Sequence, residues 1–160
     1  MLLPESFGAL VAELNRDELP YVLIGGVAVN LLGHARTTQD VDVLVPASAE
    51  QGERIRRLLD RLEATRPDGS PLPEALFDGE HHIRALTPLG IIDFVPEGET
   101  PLDFGSVREQ AEPDELHGVP CWRVNLGHLV ALKRLAGRPI DREDLASLET
   151  AYGQLPDAGE

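Results

Sequence analysis

Basic side chains are scarce in this sequence: 14 Lys and Arg stand against 28 Asp and Glu, a formal charge of −14. Nucleic-acid affinity comes mainly from Lys and Arg neutralising phosphates, so broad nucleic-acid binding is disfavoured. A local patch of Arg54, Arg56, Arg57 and Arg61 survives that average, and its spacing equally suits the solvated face of a helix. Cysteine is nearly absent. Cys121 stands alone, which excludes an internal disulfide and a cysteine-built zinc site, agrees with a reducing compartment, and reads as a packed side chain. Aromatics make up 4% of the residues. Trp122 and Tyr152 are isolated and lack the basic surround of a base-stacking platform, so they read as core or partner contacts. No apolar run approaches the roughly 20 residues of a membrane-spanning helix; the runs are short, such as Tyr21–Ile24. The opening MLLPESFGALVAELNRDEL has no basic region followed by a long apolar stretch, so it does not read as a secretory signal, and the cytoplasm is the expected compartment. Internal repeats, low-complexity tracts and an interdomain linker are missing as well.

What remains fits one globular domain: 160 residues, 42% apolar, with a core over about 5–112 and a C-terminal hairpin and helices over about 113–155. Phe7, Leu10, Val11 and Leu14 predict a first amphipathic helix over 5–16. Tyr21–Ile24 reads as a buried strand stopped by Gly25-Gly26, after which Val27, Ala28, Leu31 and Leu32 recover a helical period up to Gly33. Val41, Val43 and Val45 alternate with Asp40, Asp42 and Leu44, so the next strand keeps its valines on one face and its aspartates on the other. Ser48 is a plausible cap for a helix from about 49 to 64, and TRPDGSPLPEALFDGE reads as an irregular connection. Residues 81–87 and 89–95 suggest a hairpin around Pro88 and Gly90, whose second strand sets Asp93 in apolar company. A short helix over 103–111, a small hairpin around Gly118 and a helix capped by Asn125 and ended by Gly137 follow. A last helix is expected to carry Asp141 and Asp144 at its cap and third positions, with a frayed QLPDAGE after it.

Residues two apart on a strand project from one face, so Asp40 and Asp42 bring two like charges into one small volume. A divalent cation resolves that conflict, and hard oxygen ligands suit Mg²⁺, which is commonly held by one or two carboxylates together with substrate phosphates. Acidic residues on the exposed face of an edge strand are the competing reading of the same triplet. Upstream, Gly25-Gly26 opens a helix and offers unhindered backbone N–H groups to a polyphosphate, although two glycines also serve simply to turn a chain. The stretch lacks both the glycine-lysine ending of a Walker P-loop and the three-glycine spacing of a dinucleotide fingerprint.

Gly25-Gly26, a spacer and Asp40-Val41-Asp42-Val43 resemble the signature of the nucleotidyltransferase superfamily related to DNA polymerase beta, over about residues 20–95. More narrowly, GGVAVNLLGHARTTQDVDVLV is similar to the minimal members of that superfamily, which include abortive-infection-type toxins and antibiotic-modifying enzymes. The resemblance implies an α/β (α+β) fold, a small mixed sheet with helices packed on it and further helices at the C-terminus. It implies Asp40, Asp42 and Asp93 as catalytic carboxylates and metal ligands, Mg²⁺ or Mn²⁺ as cofactor, and a nucleoside triphosphate as one substrate. Asp93 would also take the proton of the attacking hydroxyl. The acceptor, a small molecule, protein or RNA end, is left open.

The tail LVALKRLAGRPIDREDLASL is similar to the C-terminal helices of the toxin-like branch, a resemblance that implies Lys133 and Asp144 at the site. By their own chemistry Lys133 reads equally as a solvated helical lysine, and Asp141 and Asp144 as capping residues. Arg36 is a candidate phosphate brace or a surface arginine, His34 a weaker candidate, and His81-His82 read as ordinary strand-end histidines. Two further readings stand beside the enzyme: a non-catalytic nucleotide-binding module, and a protein-interaction component such as half of a toxin–antitoxin pair, whose acidic surface meets a basic partner.

Overall fold

A computed structural model describes residues 2–156. Helix α1 (Glu5–Arg16) buries Phe7, Leu10, Val11 and Leu14, as the periodicity predicts. Strand β1 (Val22–Ile24) runs without an intervening loop into α2 (Gly25–Leu31), and β2 (Asp40–Val45) follows. Helix α3 (Ala49–Arg61) starts where the Ser48 side chain accepts the Gln51 N–H, satisfying one of the free N–H groups of its first turn. A short 3-10 turn (Glu74–Asp78) interrupts the predicted connection. The hairpin β3 (Ile83–Thr87) and β4 (Gly90–Pro96) comes next, then α4 (Phe104–Glu109) and the second hairpin, β5 (Glu112–Leu116) with β6 (Val119–Arg123). The chain closes on α5 (Leu126–Ala136) and α6 (Pro139–Tyr152), with Gly137 in the left-handed conformation between them.

The six strands form one mixed sheet in the order β3-β4-β2-β1-β6-β5. Strand β2 is antiparallel to β1 and parallel to β4, and β1 is parallel to β6, so the sheet combines two hairpins with crossovers. Period-two alternation sorts the interior into two clusters. One packs Leu10, Val11 and Leu14 of α1 and Leu58 and Leu59 of α3 against Val41, Val43, Ile92 and Phe94. The other packs α2, α4, α5 and α6 against Val22, Ile24 and Leu44, and Asp40 and Asp42 share the face of Leu44. Because β2 lies between β4 and β1, the edge-strand reading of its aspartates fails.

Three expectations are corrected at the C-terminal end. The cap of α6 is Arg138, so Asp141 is the third helical residue and its carboxylate accepts the Arg138 backbone N–H at 3.1 Å. Asp144 is therefore no cap residue; it sits on the buried stripe with Asp141 and Leu148 and is 0% exposed. Nor is the whole QLPDAGE segment frayed: Leu155 packs into the second cluster and Arg134 donates to the Pro156 carbonyl at 2.7 Å. The rest of that segment, 157–160, lies outside the described residues. Among the described residues no helix is long and apolar enough to cross a membrane.

Candidate active site

Parallel pairing of β2 with β4 sets Asp42 opposite Asp93, and Asp40 projects from the same face two residues earlier. One carboxylate oxygen from each of the three lies within 4.8 Å of the others. Asp93 is nearly buried at 3% exposure. Burial first, then the charges of Asp40 and Asp93, push the Asp42 carboxyl up to about 8. Burial also raises Asp93, but hydrogen bonds from His82 and from the Asp42 carboxyl, together with the Arg84 charge, bring it below the ordinary carboxylate range. The two neighbouring carboxyls are thus pushed in opposite directions, Asp42 toward its protonated form and Asp93 toward its ionised form. Three hard oxygen donors with more negative charge than the site can keep ionised fit a divalent cation.

Two more residues join this row, His82, which reads in the sequence as an ordinary strand-end histidine, and Arg84, which no motif singles out. His82 Nε2 hydrogen-bonds Asp93 Oδ1 at 2.9 Å, so His82 is a site residue and no ordinary strand-end histidine. Arg84 pairs across the hairpin with Asp93, and its Nη1 donates to Asp93 Oδ2 at 2.6 Å and to Asp40 Oδ2 at 2.9 Å. A signal for Arg84 was available: a hairpin turning at Pro88 and Leu89 aligns Thr87 with Gly90, and that register alone sets Arg84 opposite Asp93, whereas His82 precedes the paired residues and no register reveals it. His81 bonds Asp78 instead, on the surface.

Gly25 and Gly26 meet this row at the start of α2. Gly25 has φ +68°, and a Cβ there would stand 2.1 Å from Asp42 Oδ2; one on Gly26 would meet Thr38 Oγ1 at 2.7 Å. Only glycine fits at both, and backbone rather than side chain faces the carboxylates. Helix α2 has seven residues, so close backbone approach matters more here than a helix dipole. Asn30 binds the loop that follows, donating to the Gly26 and Arg36 carbonyls at 3.0 and 2.6 Å and accepting the Arg36 N–H at 3.1 Å.

The wall facing the carboxylates is a network of charges. Arg36 grips Asp144 through Nε at 2.7 Å and Nη2 at 3.0 Å. Lys133, 4% exposed, reaches Asp144 Oδ2 at 3.0 Å and Asp141 Oδ1 at 3.1 Å, and Arg138 Nε reaches Asp141 Oδ2 at 2.7 Å. Burial raises the Asp141 carboxyl, but these two cations bring it down to about 2. Lys133 is thus not the solvated helical lysine, and Arg36 is not a free surface arginine. His34 approaches Asp144 only at 3.9 Å. Lys133 is the one lysine of the whole chain, a signal in the composition that the spacing of motifs did not use.

Between the row and this wall lies a cleft of about 720 Å³ that includes Gly25, Gly26, Arg36 and Lys133. It collects the three carboxylates, both glycines, Arg36 and Lys133; Asp144 lies behind, reached through Arg36 and Lys133. Its rim on α5 and α6 is apolar, with Leu135 61% and Ile140 37% exposed.

The architecture that carries this cleft is nucleotidyltransferase-like. A protein described as a nucleotidyltransferase from Thermotoga maritima (TM1012) superposes with a TM-score of 0.60 at 16% identity, over 94% of this chain and 96% of its own. The antibiotic-resistance factor ANT(2'')-Ia, in its solution structure, gives 0.61 at 14% identity over 92% and 83%. An antigenic nucleotidyltransferase-like protein from Paracoccidioides brasiliensis gives 0.60 at 17% identity over 92% and 76%. No family model and no curated protein matches the sequence. At such identities the likeness is one of fold.

Proposed function

We propose that the chain is a metal-dependent nucleotidyltransferase, one unit over 1–160, which moves a nucleoside monophosphate from an NTP to an acceptor. The carrying observation is the row of Asp40, Asp42 and Asp93 within 4.8 Å, closed on one side by Gly25 and Gly26, where an added Cβ would stand 2.1 Å from Asp42 Oδ2 and 2.7 Å from Thr38 Oγ1. Asp40, Asp42 and Asp93 would hold Mg²⁺, with Mn²⁺ as the alternative, through one oxygen each. Bound there, a divalent ion would supply neutralisation of phosphate charge and polarisation of the α-phosphoryl group.

The chain's own groups do the rest. The Gly25 and Gly26 backbone lets the triphosphate approach without a side chain in the way, and Arg36 and Lys133 add positive charge from the opposite wall. Asp93, held by His82, accepts the proton of the attacking hydroxyl. A new O–P bond forms at the α-phosphorus as the bond to pyrophosphate breaks.

The complex of ANT(2'')-Ia with adenylyl-2''-tobramycin, which superposes at a TM-score of 0.58, supports a small hydroxylated acceptor over a macromolecule. A formal charge of −14 agrees with that choice and with a basic protein partner, as in a toxin–antitoxin pair, inside the cytoplasm. The test is incubation with α-labelled and γ-labelled NTPs, Mg²⁺ and cell extract, comparing wild type with Asp42→Ala. Label from the α-phosphate alone should appear on an acceptor and vanish in the variant. Nucleotide binding without any wild-type-dependent label would instead support a non-catalytic module.

A further inference from the structure

Arg84 bridges two of the carboxylates that would hold the cation. A single nitrogen, Nη1, spends its hydrogens on Asp93 Oδ2 at 2.6 Å and Asp40 Oδ2 at 2.9 Å, and so ties together two of the three carboxylates of the metal row. The placement follows from the sheet: Arg84 pairs with Asp93, Asp93 with Asp42, and all lie in one row across β3, β4 and β2. Strand β3 is the edge of the sheet, and the Arg84 side chain is 44% exposed, so the guanidinium can leave the row without unpacking the core. Asp40 has no other charged partner within 4.0 Å among the described residues.

A guanidinium and a dication compete for these carboxylates: both are positive, they would lie within a few ångströms of each other in a half-buried site, and each weakens the other's hold on the shared negative charge. We propose that Arg84 is a tethered counter-ion that holds the carboxylate row together in the absence of metal, and competes with the metal for it. The proposal rests on the reading of this row as a metal site. Once displaced, the guanidinium remains on the wall of the cleft, where its fork of donors matches phosphate oxygens. A triphosphate therefore gives Arg84 a second place to bind, and nucleotide and metal assist each other through one residue that touches both. Arg84 thereby biases the site toward accepting metal together with nucleotide rather than metal alone.

The test is Mn²⁺ binding without nucleotide, read from the free-ion electron paramagnetic resonance signal and by calorimetry. Arg84→Gln should bind Mn²⁺ about tenfold tighter than wild type, about 1.4 kcal/mol, and Arg84→Lys, which keeps the charge on a shorter stem, should fall between them. Addition of a non-hydrolysable NTP should tighten Mn²⁺ binding less in Arg84→Gln than in wild type. Equal or weaker Mn²⁺ affinity in Arg84→Gln would overturn the proposal. A reading free of any variant is the Arg84 side-chain Nε–H resonance, which should move with the midpoint of a Mg²⁺ titration; a resonance that stays fixed while metal binds would overturn it too. Asp42→Asn separates the two levels: if it binds Mn²⁺ as well as wild type does, the metal-site reading falls, whereas its loss of binding leaves Arg84 alone in question.

Discussion

Replacing Asp144 with alanine should cost the fold more than any other single change in the cleft wall. The carboxylate is 0% exposed and accepts from Arg36 Nε at 2.7 Å, Arg36 Nη2 at 3.0 Å and Lys133 Nζ at 3.0 Å. Alanine leaves Lys133, itself 4% exposed, with Asp141 alone, and leaves Arg36 with its main-chain contacts. Removing one partner from a buried ion pair costs about 3–5 kcal/mol, a large share of the roughly 5–15 kcal/mol that holds a domain folded. For a chain of this size that corresponds to a melting temperature lower by about 6–20 °C, at about 2–4 °C per kcal/mol. Urea denaturation at an unchanged m-value is the assay, since a shifted midpoint with constant slope isolates stability from changes in the unfolded state. In the double variant Lys133→Met/Asp144→Ala the loss should fall short of the sum of the singles, with a coupling of about 1–3 kcal/mol. A loss below about 1 kcal/mol for Asp144→Ala, the worth of an exposed ion pair, would refute the buried network as the support of this wall.

Two other outcomes follow from the row itself. Gly25→Ala adds a Cβ 2.1 Å from Asp42 Oδ2 at a backbone φ of +68°, so it should lower the melting temperature and abolish metal binding, whereas Gly98→Ala, where nothing lies within 4 Å, should leave metal binding unchanged in the same titration. The raised Asp42 pKa of about 8 means that the folded chain holds a proton its unfolded form releases at an ordinary carboxylate pKa. Metal-free stability should therefore fall as pH rises from about 4 to about 8 and level off above, a slope that Asp42→Asn removes, and Mg²⁺ binding at pH 7 should release a proton, visible as a buffer-dependent heat.

Local periodicity carried most of the fold. Val41, Val43 and Val45 against Asp40 and Asp42 specified both a strand and its two faces, and Asp93 between Ile92 and Phe94 was conspicuous because a charge in such company needs a partner. Pairing across distant sequence was not legible from periodicity. That β2 lies inside the sheet, beside β4 rather than at an edge, depends on crossovers that no local pattern encodes. Asp141 and Asp144 were misplaced because a run of polar residues after Pro139 reads as a cap, although Asp141, Asp144 and Leu148 already follow the i, i+3, i+7 spacing of a buried stripe. Lys133 was named through the family resemblance, but its burial was not legible, because helical lysines are usually solvated; only the partners supplied by α6 make that burial tolerable. Arg84 sits on an edge strand, where exposed polar residues are the ordinary expectation, and its place opposite Asp93 emerges from hairpin register alone; His82 lies just before that strand, and only the folded side chains bring it to Asp93.

The solitary lysine has a practical consequence. With Lys133 enclosed by Asp141 and Asp144, the described chain presents no side-chain amine to solvent. Acylating reagents and amine-directed cross-linkers therefore find no surface lysine to modify, and modification at Lys133, approached through the cleft, requires its pairs with Asp141 and Asp144 to break first. The rate at which that single amine becomes reactive is a built-in clock for the opening of the cleft wall, readable by mass spectrometry on the unaltered sequence.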